Sequence, residues 1–139
     1  MALNEVFRDA DRLSLPVGIG VKAGQPVVSG DLVGWAQTDA TPAKVNGVRP
    51  AGPSGSNINT SNNDGFASVS LVGAFRYPVR SAASLTVGTK VYLNGTGASA
   101  YLTATATGAK MFGHVIVANS TFDNTNGVAT VVRVQNGAS

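Results

Sequence analysis

Gly65-Phe66-Ala67-Ser68-Val69-Ser70-Leu71-Val72-Gly73-Ala74-Phe75-Arg76-Tyr77-Pro78-Val79 decides the fold class. Between residues 66 and 79, Ala67, Val69, Leu71, Gly73, Phe75, Tyr77 and Val79 share one parity, and Ser68, Ser70 and Arg76 fall on the other. A period of two places successive side chains on opposite faces of an extended chain, so the pattern predicts strand with one buried face and one mostly wet. Residues 128–135 repeat it, with Val128, Val132 and Val134 expected inward and Arg133 and Gln135 outward. Met111 to Ala118 is apolar on both parities, which predicts a central strand covered on both sides.

Turn residues punctuate these runs. Ser29-Gly30-Asp31, Asn94-Gly95 and Asn126-Gly127 each adjoin a Val-rich segment. Gly and Asn tolerate the positive φ that tight hairpins need. Many short strands at this spacing predict an all-β fold, a small β-barrel or sandwich of short antiparallel strands. Residues 15–139 are expected to form its single β domain. A long polar loop interrupts it at about 41–64, where Pro42, Pro50 and Pro53 precede a Ser/Asn/Gly run and no periodicity survives.

Three short pieces recur in the same order. Gly24-Gln25-Pro26-Val27 matches Gly88-Thr89-Lys90-Val91, Gly34-Trp35-Ala36 resembles Gly113-His114-Val115, and Asp64-Gly65-Phe66-Ala67-Ser68-Val69 matches Asn126-Gly127-Val128-Ala129-Thr130-Val131. Two similar β-modules around one core would produce this, and so would coincidence in a chain rich in Gly, Val and Ala.

Charge is sparse and uneven. The chain of 139 residues has ten Lys/Arg and seven Asp/Glu, and five of these, Glu5, Arg8, Asp9, Asp11 and Arg12, fall before residue 13. Nucleic-acid binders gather their cations on one face, whereas the remaining Lys and Arg here are spread thinly, so no nucleic-acid partner is expected. No apolar run approaches the roughly 20 residues of a membrane helix, and no secretory signal opens the chain, so no membrane partner is expected. Cysteine is absent, which excludes disulfides and thiolate metal sites.

Chemistry is equally sparse. His114 is the single histidine, so sites needing two imidazoles fail. Its parity with Phe112 and Ile116 suggests a core or interface residue rather than a general base. Asp31, Asp39, Asp64 and Asp123 sit in turn-like contexts, where Asp side chains bond nearby backbone. Gly18-Ile19-Gly20-Val21-Lys22 lacks the Gly-Lys-Ser/Thr of a phosphate loop. No catalytic residue, cofactor, metal or small-molecule substrate is assigned, and the chain is read as a non-enzyme.

Function therefore falls to the leader, residues 1–14. Leu3, Val6, Phe7, Ala10 and Leu13 are spaced to suit one face of a short helix, whereas Leu13-Ser14-Leu15-Pro16-Val17 alternates and reads as extended. In either form Val6, Phe7 and Leu13 need an apolar surface, supplied by this subunit or by a partner.

Several stretches carry a family resemblance. They are Asn4-Glu5-Val6-Phe7-Arg8, Asp11 to Val17, Val21 to Val28, Leu32 to Asp39, Gly65 to Phe75 and Leu85-Thr86-Val87-Gly88-Thr89-Lys90-Val91-Tyr92. Together they resemble the capsid cement, or head decoration, proteins of tailed bacteriophages. The resemblance implies a β-rich structural protein that is assembled in the host cytoplasm onto the exterior of the virion capsid. It implies binding to the major capsid protein, commonly as a homotrimer, and stabilisation of the shell. It also implies an N-terminal arm that reaches the shell or a sister subunit. On that basis Val6, Phe7 and Leu13 are the candidate anchors, with Arg8 and Arg12 pairing carboxylates. A cap on its own barrel is the competing role for the segment. A carbohydrate-binding or host-attachment module is the alternative function, and it would need Trp35 or Tyr101 on the surface.

Overall fold

The computed structural model describes residues 11–43 and 64–136. Val6, Phe7 and Arg8, and all but the ends of the 41–64 excursion, lie outside the described residues. Among the described residues nine strands follow one another: β1 (Arg12–Pro16), β2 (Pro26–Ser29), β3 (Leu32–Ala36), β4 (Phe66–Ser70), β5 (Ala74–Arg80), β6 (Lys90–Asn94), β7 (Tyr101–Thr103), β8 (Lys110–Val115) and β9 (Val128–Val134). They form a four-stranded antiparallel sheet, β1-β4-β3-β2, and a closed barrel, β5-β7-β6-β8-β9. The all-β expectation holds, with barrel and open sheet side by side, although one pair, β5–β7, is parallel.

The alternating stretch 66–79 is two strands rather than one. β4 ends at Ser70, whose hydroxyl donates to the Val72 carbonyl at 2.8 Å, and β5 starts four residues later in the barrel. The parity survives the break. Ala67 and Val69 are buried in the sheet's core, Val79 is buried in the barrel, and Phe75 and Tyr77 pack half-buried against the barrel core. In β9, Val132 and Val134 are buried and Arg133 is exposed as expected; Thr130 also turns inward, and its hydroxyl donates to the Val128 carbonyl at 2.7 Å.

Met111 to Ala118 departs from expectation in two ways. β8 ends at Val115, and Ile116 and Val117 are 42% and 48% exposed. Within β8 the pairings Val91↔Gly113 and Tyr92↔Met111 leave Phe112 as the extra residue of a β-bulge. A bulge shifts the parity of the strand beyond it. Phe112 and Val115 therefore both point into the core, while His114 is only half-buried. The sequence parity that grouped His114 with Phe112 fails for this reason.

The internal repeat is structural. The order β1-β4-β3-β2 is matched by β5-β9-β8-β6, with β7 as an addition that closes the second module into a barrel. The equivalent turns share their hydrogen bonds. Gly24 N–H donates to the Ala36 carbonyl at 2.7 Å, and Gly88 N–H to the Val115 carbonyl at 2.8 Å. Ala36 N–H returns to Gln25 at 2.9 Å, and Val115 N–H to Thr89 at 3.0 Å. Even a side-chain bond recurs, from Lys22 N–H to Gln25 Oε1 and from Thr86 N–H to Thr89 Oγ1. Both turns need positive φ, 88° at Gly24 and 91° at Gly88. The repeat also takes in a pair not evident beforehand, Leu13–Val17 and Phe75–Val79, each ending in Pro-Val.

One strand joins the modules. β3 belongs to the open sheet, yet Val33 and Trp35 lie in the barrel's core, with Trp35 fully buried. Its ring contacts Phe75 at 5.2 Å, Tyr77 at 6.0 Å and Phe112 at 4.9 Å between centroids, the last nearly edge-on. Each such pair adds roughly 0.5–1.5 kcal/mol beyond the area it buries. On the opposite face of the same strand, Ala36 joins Val17, Val21, Val27, Ala67 and Val69 in a second, smaller core.

Close backbone approach sets a sharp constraint at two equivalent glycines. A Cβ at Gly113 would collide with the Arg133 carbonyl of β9, and one at Gly34 with the Ser70 carbonyl of β4. Neither obstacle is a flexible side-chain end, so the strands themselves would have to part. Gly113→Ala and Gly34→Ala are expected to cost about 3 kcal/mol each, a fall of roughly 10 °C in Tm. Gly24→Ala meets only open space and pays the positive φ alone, about 1 kcal/mol. Thermal unfolding of the three variants checks this ranking.

Candidate interaction surface

The described end of the leader is strand. Arg12 and Leu13 open β1, which pairs with β4 through Arg12↔Ser70 and Leu13↔Val69. Leu71 N–H donates to the Asp11 carbonyl and Val17 N–H to the Gly65 carbonyl, so odd-numbered residues of β1 bond to β4. Arg12 and Ser14 then turn their N–H and C=O groups the other way, to the side of β1 on which no strand pairs among the described residues. Pro16 closes that row without an N–H, a common device at exposed sheet edges. Arg12 is exposed and Leu13 half-buried on the parity of Leu15, which packs on the smaller core. Of the five candidate leader residues, these two are adjacent on β1 and the other three lie outside the described residues.

Elsewhere the surface is held by small polar devices. Asn136, just past β9, acts as a surrogate strand residue: its Oδ1 accepts from Val33 N–H and its Nδ2 donates to the Val33 carbonyl, both at 2.8 Å, and to the Leu71 carbonyl at 3.1 Å. Lys110 ties the β2–β3 hairpin tip to the barrel through the Gly30 carbonyl at 2.7 Å and Asp31 at 2.9 Å. This bond and the lysine's charge hold the Asp31 carboxyl below its ordinary range. Backbone N–H groups of Asn126 and Thr125 do the same for Asp123, which opens the turn leading into β9.

Among the described residues no acid bonds to His114. Its strand partners are Lys90 on β6 and Arg133 on β9, both cations. Trp35, fully buried, is no sugar platform, and one face of Tyr101 is covered by the Arg80 guanidinium, 3.9 Å from the ring centroid. The exposed large apolar side chains include Val87, Ile116 and Val117. The Leu85↔Asn119 bridge and the bond from Gly88 N–H to Val115 place Val87 and Val117 opposite each other. Sequence reading missed this rim because it took Met111 to Ala118 as one buried strand.

The described residues form an all-β module with turns of fixed geometry and a sheet edge at β1. A family model described as phage cement protein matches residues 7–135, and the chain belongs to that family. It is thereby a structural, capsid-associated protein of a phage, and that family is no class of enzyme. No similar curated protein and no similar solved structure was found.

The two depressed carboxyls give a pH test. A group whose folded pKa is lowered adds stability above its unfolded pKa and loses it as pH falls through the folded one. Carboxyl NMR titration is expected to place the midpoints of Asp31 and Asp123 below 3.8, the ordinary Asp value. Lys110→Ala should return Asp31 towards that value and leave Asp123 unmoved, because backbone donors hold the latter. High salt should likewise weaken the exposed Asp31–Lys110 pair more than the Asp123 turn.

Proposed function

We propose that this cement protein binds the exterior of the assembled phage capsid, through its major capsid protein, and stabilises the shell. A protein that binds only the assembled state lowers that state's free energy by its binding free energy, and many copies add their effects. The observation that carries the reading is the placing of β1. Arg12 and Leu13, at the described end of the leader, are built into an edge strand whose outward backbone row at Arg12 and Ser14 meets no strand among the described residues. Pull on the arm is thus transmitted into a sheet that shares β3 with the barrel core. Val6, Phe7 and Leu13 serve as apolar anchors and Arg8 and Arg12 pair shell carboxylates. The protein acts as a homotrimer and is assembled onto heads in the host cytoplasm. Charges of both signs let the arm order on docking against a mixed surface. The carbohydrate reading loses its support with Trp35 buried and Tyr101 covered.

Electron microscopy of expanded heads lacking and then given the protein is expected to show trimeric knobs that appear only on addition, with heads that resist heat better. Deleting residues 1–12 should abolish docking. Phe7→Asp with Val6→Asp, which leaves β1 whole, should weaken it at least about tenfold, since two apolar anchors of roughly 1.5–3 kcal/mol each are lost. Undiminished binding by both variants would remove the arm from the mechanism.

A further inference from the structure

Arg80 ends β5 on the outer wall of the barrel, beside the buried Val79. The parallel pairing Arg80↔Thr103 and the antiparallel pairing Asn94↔Tyr101 set it next to a polar pocket of about 200 Å³, lined by Arg80, Asn94, Tyr101, Thr103, Thr105 and Asn124. Arg80 Cζ lies over the Tyr101 ring, 3.9 Å from its centroid. A contact of this kind removes rotamer freedom before any ligand arrives. A cation–π contact uses none of the guanidinium N–H donors, which are the part that recognises oxyanions.

Those edges are unspent. Among the described residues no carboxylate lies within ion-pair distance of Arg80, and its side chain makes no hydrogen bond. The side chains of Asn94, Thr105 and Asn124 also make none among the described residues, whereas Thr103 Oγ1 accepts from Thr105 N–H at 3.1 Å. Two amides, a hydroxyl and a planar cation therefore face one small concavity with donors to spare. Asp123 is the nearby acid. Its oxygens are taken by Thr125 and Asn126, and its negative charge disfavours a dianion in the same place. A single cation beside one carboxylate suits a monoanion, and the planar fork suits carboxylate geometry. The fold does not require this arginine, since the equivalent position in the first module, after Pro16-Val17, is Gly18.

We infer that the Arg80 pocket is a carboxylate-binding site, filled by an Asp or Glu side chain of the shell protein. The choice of source rests on the capsid-binding reading above; the carboxylate chemistry does not.

Two arms test it on the full chain. In the first, the Arg80 Nε–H and the side-chain amides of Asn94 and Asn124 are followed by NMR during titration with sodium acetate, and with sodium chloride and sodium phosphate at matched ionic strength. Saturable shifts in acetate, weaker in phosphate and absent in chloride, are expected. The amide response should be lost in Arg80→Lys, which keeps the charge but not the fork. Equal responses to chloride or phosphate would overturn the carboxylate assignment. In the second, Arg80→Lys and Arg80→Ala, each checked for unchanged Tm, are bound to heads. Both should bind roughly tenfold more weakly, as loss of a charge-assisted hydrogen bond implies. Saturable acetate binding with wild-type head affinity in both variants would overturn the shell as the source and leave a free carboxylate as ligand. If the wild-type chain binds no heads, the capsid-binding reading fails, while the acetate titration still decides the site.

Discussion

The burial of Trp35 is the constraint on which the rest of the structure depends. The residue is supplied by the open sheet and consumed by the barrel: its strand pairs with β2 and β4, while its ring lies among Phe75, Tyr77 and Phe112. Among the described residues its Nε1–H meets no acceptor, a cost of about 1–3 kcal/mol. Full burial of so large a ring, with three aromatic contacts, outweighs that cost. Because Val33 accompanies it inward and Ala36 points the other way, β3 is a wall common to both cores. Neither module can shift against the other without opening one of them.

Duplication explains the architecture and its asymmetry. Two copies of one four-strand plan share turn geometry down to single hydrogen bonds, yet only the second carries β7 and closes. Among the described residues the first ends in edge strands β1 and β2. The connection into β7 lies against it there: a Cβ at Gly18 would sit 3.3 Å from Gly97 Cα, and Gln25 Nε2 donates to the Ala98 carbonyl at 3.3 Å. Features peculiar to one module are those the shared plan does not demand. Arg80 in place of Gly18 is one, and the apolar Val87 and Ile116, where the first module has Ala23 and Gln37, are others. The described end of the leader, Arg12 and Leu13, lies in the edge strand β1 of the less closed module.

Much of this was legible in the residues. Alternation in 66–79 and 128–135 identified strands with one wet face, because a period of two has few other physical readings. Asn94-Gly95 and Asn126-Gly127 marked turns through the conformational freedom of glycine, and both glycines have positive φ. The repeat was visible as three short matches and became certain only when equivalent N–H groups met equivalent carbonyls. The inward direction of Phe112 and the outward one of His114 were illegible, since a bulge depends on the partner strand. The Arg80–Tyr101 stack was illegible too. Those residues lie far apart in the chain and meet only through β7, three residues long and paired in parallel on one side.

Sequence by itself determined the class of fold, the placing of turns, the family and the concentration of charge in the leader. These follow from local chemistry: side-chain parity, backbone freedom at glycine and the identity of consecutive residues. Tertiary structure alone decided that 66–79 is shared between two sheets, that one module closes and the other does not, and that Trp35 serves the core of its neighbour. It also decided which polar groups face one another without partners. The physical reason is that pairing, closure and burial are relations between distant segments. A residue's side of a sheet can be read from its neighbours in sequence, but what lies across from it is set by strands that arrive from elsewhere in the chain.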